Sequence, residues 1–89
     1  MKLKHFRNKS TGNEIYTDLD ITLATINDLP DEAKQHLGSG DIVSFITDVQ
    51  AGETWIAGPD TTQLLKDVAE NRFHTHTIPK PKVAVSFVK

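Results

Sequence analysis

Glu14-Ile15-Tyr16-Thr17-Asp18-Leu19-Asp20-Ile21-Thr22-Leu23 is the stretch on which the fold class turns. Its odd positions Ile15, Leu19, Ile21 and Leu23 are apolar, and its even positions Glu14, Asp18, Asp20 and Thr22 are polar. Successive side chains of a strand point to opposite faces, so this period of two predicts a strand buried on one face only. Upstream, residues 2–7 are a second extended candidate. Asn8-Lys9-Ser10-Thr11-Gly12-Asn13 between them has turn-forming composition, and the pair reads as a hairpin with a long loop.

Downstream, Leu29, Ala33 and Leu37 fall on one helical face. Asp28 as cap, Pro30 with acids in a first turn, and Gly38 as terminator predict a short helix over residues 29–37. Residues 41–49 (Asp-Ile-Val-Ser-Phe-Ile-Thr-Asp-Val) are β-branched and aromatic and apolar on both faces, which predicts a central strand. Gln50-Ala51-Gly52-Glu53 then reads as a turn into a partner strand, Thr54-Trp55-Ile56-Ala57, ended by Gly58-Pro59. Asp60 or Thr61 caps a second helix, with Gln63 placed as in a capping box and Leu64, Leu65, Val68 and Ala69 as its apolar stripe. Extended segments over residues 73–78 and 83–88 close the chain. The order is ββα-ββα-ββ. It predicts an α+β fold in one domain over residues 1–89, with a mostly antiparallel sheet of about five or six strands and both helices on one face.

The 89 residues leave room for one small core. There is no cysteine, which excludes disulfide frameworks, thiolate metal centres and cysteine nucleophiles. The basic start, Met1-Lys2-Leu3-Lys4-His5-Phe6-Arg7, has no apolar run behind it, so it does not read as a signal peptide, and no stretch is long enough for a bilayer span. A cytoplasmic protein that uses no cofactor and no membrane is the expectation. The net charge of −2 conceals a segregation: the 12 acids all lie within residues 10–70, whereas both ends carry cations only. Those cations are Lys2, Lys4, Arg7 and Lys9 at one end and Arg72, Lys80, Lys82 and Lys89 at the other.

Three function classes follow. His74-Thr75-His76 puts two imidazoles on one side of a strand, the spacing a metal-dependent hydrolase needs. No third ligand is placed beside them by the sequence, and solvated histidines on a polar strand face are the plainer reading. The cations Lys2, Lys4, Arg7, Lys9, Arg72, Lys80 and Lys82 would serve a weak nucleic-acid or anion binder, but the acidic balance of the whole chain argues against nucleic acid. The paired acids Asp18 and Asp20 read as solvated, no serine lies in a nucleophile elbow, and Gly38-Ser39-Gly40 precedes a strand rather than opening a helix, so it is no phosphate loop. What remains is a small non-enzymatic module that binds a protein partner or a second copy of itself. The interface candidates are Trp55 and the apolar terminal strand with Val83, Val85, Phe87 and Val88.

Overall fold

The hairpin read from the first residues forms the middle of the sheet. The computed structural model describes residues 1–79, and in it strand β1 (Lys2–Asn8) pairs antiparallel with β2 (Asn13–Thr17). A six-residue 3-10 turn (Leu23–Asp28) leads to helix α1 (Asp31–Leu37), then β3 (Ile42–Asp48), helix α2 (Thr61–Asn71) and β4 (Phe73–Thr77). The described strands make one four-stranded antiparallel sheet in the order β3-β1-β2-β4. The α+β class and antiparallel sheet therefore stand, with four described strands. The terminal segment 83–88, with Val83, Val85, Phe87 and Val88, lies outside the described residues, as do Lys80 and Lys82.

The helices do not share a face. The register sets Phe6 opposite Ile15 and His5 opposite Tyr16, so these two pairs point to opposite sides of the sheet. On one side Phe6 and Ile15 pack with Ile21, Leu29 and the α1 residues Ala33 and Leu37. On the other, Leu3 and Tyr16 pack with Val49 and the α2 residues Leu64 and Val68. The central strands are thus covered twice, and β2 is buried on both faces instead of one: Glu14, Ile15, Tyr16 and Thr17 are all inaccessible.

Two further expectations give way for the same reason. The alternation after Thr17 is not strand; Leu19 and Ile21 pack into the α1 core from irregular backbone, while Leu23 is exposed. Residues 54–57 do not form a partner strand either, but turns and bends between β3 and α2. As a result β3 lies at an edge of the described sheet rather than at its centre, with Phe45 and Ile46 exposed.

Local chemistry accounts for the helix ends. The Asp60 carboxylate accepts from the backbone N–H groups of Thr62 and Gln63, satisfying two donors that the first turn of α2 leaves free. At its other end Arg72 is left-handed (φ 71°), its N–H returns to the Val68 carbonyl, and its side chain bonds Asp18 at 2.8 Å. The Thr17 hydroxyl donates to the Arg72 carbonyl, which fixes the turn into β4. Gly38 ends α1 with φ 73°. Buried Asn8 donates to the carbonyls of Leu37 and Ser39 at 3.0 and 3.1 Å and ties that helix end to β1.

Candidate functional site

Cross-strand register builds two rows of side chains on the α2 side of the sheet. One row runs Phe45, His5, Tyr16, His74 across β3, β1, β2 and β4; the next runs Val43, Arg7, Glu14, His76. The first row is a ladder of rings. His5 stacks on Tyr16 at 4.0 Å, Phe45 lies 5.1 Å from His5, and His74 lies 6.4 Å from Tyr16. The second row is charged and centres on a carboxylate.

Glu14 is 2% exposed, and four donors surround it. His5 Nε2 and Arg7 Nε approach its Oε2 at 2.7 and 2.8 Å; His76 Nδ1 and the Tyr16 hydroxyl approach Oε1 at 3.1 and 3.5 Å. A carboxylate can only accept, so the proton sits on Nε2 of His5 and on Nδ1 of His76. The other nitrogen of His5 lies 3.0 Å from the Thr47 hydroxyl. Burial works against ionising Glu14, but the hydrogen bonds from His5 and Arg7, the charge of His5 and the bond from His76 outweigh it and hold its pKa at about 2. Tyr16 is pushed upward by burial first and by the neighbouring Glu14 charge second. Beside this cluster Asp67 of α2 meets His74 Nδ1 at 2.6 Å, and that bond lowers the Asp67 pKa.

This arrangement suits holding better than proton transfer. A general base works best with a pKa near the working pH, and Glu14 is far below it with its oxygens occupied. His74 and Asp67 have the geometry of an oriented imidazole, yet among the described residues no hydroxyl hydrogen-bonds to His74. His74 and His76 do share one side of β4, as i, i+2 spacing requires, but they face different carboxylates, Asp67 and Glu14. Among the described residues no three His, Cys, Asp or Glu side chains converge as a metal site.

The described basic residues do not gather on one surface. Lys2 and Lys4 point to the α1 side of β1, Arg7 points to the α2 side, and Arg72 is engaged by Asp18. Trp55 is half-buried in the loop before α2, where its ring lies 6.2 Å from Tyr16. No family model, curated protein or solved structure matches the chain. The sequence reading missed Glu14, His5 and Tyr16 as a cluster. Its available signal was the hairpin register, which sets the Glu14 pair with Arg7 beside the Tyr16 pair with His5.

Proposed function

We propose that the protein is a non-enzymatic binding module whose partner adds a strand to the outer edge of β3, and that a second copy of the chain is that partner. The observation that carries this reading is the exposure of Phe45 (41%) and Ile46 (61%) on a seven-residue strand whose outer edge meets no other described strand. Long apolar edges are normally blunted with charges, proline or bulges, and an unblunted one is a template for pairing.

Hydrogen-bond parity identifies the exposed groups. Lys9 N–H donates to the Asp41 carbonyl and Val49 N–H to the Met1 carbonyl, both at 2.8 Å, so the odd residues of β3 face β1. The N–H and C=O groups of Ser44 and Ile46 therefore point outward. Self-pairing about a twofold at Phe45 would set Ser44 against Ile46 of the other copy and Phe45 against its own counterpart. Asp48 would then lie opposite Ile42, so that no two acids oppose, which favours a second copy as the occupant.

The test is light scattering behind size exclusion over a concentration series. Wild type is expected to run as a dimer, and Ile46→Lys as a monomer with an unchanged circular dichroism spectrum, because Ile46 is largely solvent-exposed in the single chain. A wild-type monomer at every concentration, or a dimer indifferent to Ile46→Lys, refutes the reading.

A further inference from the structure

The α2 side of the sheet also holds an open cleft of about 350 Å³, small among ligand pockets, which run from roughly 300 to 1,000 Å³. Its floor is the charged row with Arg7 and Glu14; its walls are Tyr16, Trp55, the loop from Ile56 to Pro59, and Ile78. We propose that this cleft binds a small aromatic carboxylate, with the acid group on Arg7 and the ring between Trp55 and Ile78. The site is separate from the outer edge of β3, and the proposal does not depend on strand pairing there.

The polarity of the ligand follows from which groups are spent. Glu14 already accepts from His5, Arg7, His76 and Tyr16, so it has little left to offer a cation. Arg7 commits only Nε to Glu14, and its terminal amino groups make no hydrogen bond to any described residue. Its side chain is 37% accessible, and its guanidinium carbon lies 5.1 Å from the centre of the Phe45 ring, which helps hold the fork in place. Two parallel donors on a fixed plane match a carboxylate. His5 and Thr47 also line the cleft, and the remaining wall from Tyr16 and Trp55 to Pro59 and Ile78 is mostly apolar with two aromatic faces, which suits a ring.

The wall itself shows signs of being built. Ala57 is held at φ 59°, a left-handed conformation that alanine rarely adopts. At Gly58 a Cβ would come within 2.5 Å of Trp55 Cβ and 2.7 Å of its Cε3, so the backbone closes directly on the indole. Both features hold Trp55 over the floor. Ile56, at the lip, is fully exposed.

Trp55 is the only tryptophan in the chain, so its emission reports on the cleft. Benzoate, benzamide and inorganic phosphate are titrated into the full chain, excited at the red edge of the indole band. Saturable quenching by benzoate is expected, with benzamide about tenfold weaker or worse for loss of the charge-assisted contact, and phosphate about tenfold weaker or worse for loss of the buried ring. Ile56→Asp should weaken benzoate and Ile56→Lys should tighten it, each by about threefold, with no change in thermal midpoint. Arg7→Lys should weaken benzoate by about tenfold, and the two Ile56 variants carry the test if that protein folds poorly. Equal responses to benzoate and benzamide, equal responses to benzoate and phosphate, no saturation up to about 10 mM, or indifference to the charge at position 56 would each overturn the proposal.

Discussion

Replacing Glu14 by glutamine keeps the shape of the buried carboxylate and removes its charge. The wild-type group has a pKa of about 2 in the fold against 4.5 for a free glutamate. At about 1.4 kcal/mol per pH unit, that difference corresponds to about 3 kcal/mol of stability contributed by the ionised form. Because the folded pKa is depressed, the contribution is complete above pH 4.5 and is lost as the pH falls toward 2. In Glu14→Gln, one amide N–H₂ must also face donors that previously met oxygen, so either His5 and Arg7 or His76 and Tyr16 lose an acceptor. The expected result is a variant less stable by about 3 kcal/mol at pH 7, with the deficit shrinking toward zero near pH 2. Urea unfolding followed by circular dichroism at pH 7, 5, 4 and 3 measures it directly. A deficit that stays constant over that range would show that its cause is shape or packing and would refute the electrostatic account. A variant as stable as wild type at pH 7 would refute the cluster's importance altogether.

Two smaller perturbations test other parts of the fold. Asp60→Ala removes both side-chain bonds at the start of α2 and should cost about 1 kcal/mol in denaturant midpoint analysis, with little effect on the wild-type slope. Gly58→Ala forces Trp55 off the backbone it touches, so its emission should shift toward that of a solvated indole, with a loss of about 1–3 kcal/mol from overpacking. An unshifted emission would mean that the loop can relax around the methyl group.

What the sequence disclosed divides along physical lines. α2 was legible almost to the residue because its signals are local: Asp60 caps it, Leu64 and Val68 face inward, and it ends at Asn71. The first hairpin was legible for the same reason. The placement of the second helix was not, because which side of a sheet a helix covers is fixed by contacts between Leu3, Tyr16, Val49 and Val68, far apart in the chain. Reading Glu14 as an outward residue followed from its charge. Charged side chains are rarely buried unless paired, and its partners His5, Arg7 and His76 come from two other strands. Residues 41–49 misled in the opposite direction: apolar on both faces, they suggest a central strand, yet β3 is an edge of the described sheet.

The strand order has a consequence for the integrity of the chain. Everything before the Gly38-Ser39-Gly40 corner supplies the central hairpin and the cover for one side, whereas the described segments after it supply both outer strands and the other cover. In the described sheet β3 and β4 straddle the hairpin and pair with it rather than with each other. The second part is therefore a clamp whose Val49, Leu64 and Val68 close on Leu3 and Tyr16 of the first, and the first is a jaw-piece bare on one side. Cut at the corner, the two fragments should be separately unstructured or sticky and yet reassemble on mixing, a reconstitution that the sheet topology makes close to obligatory.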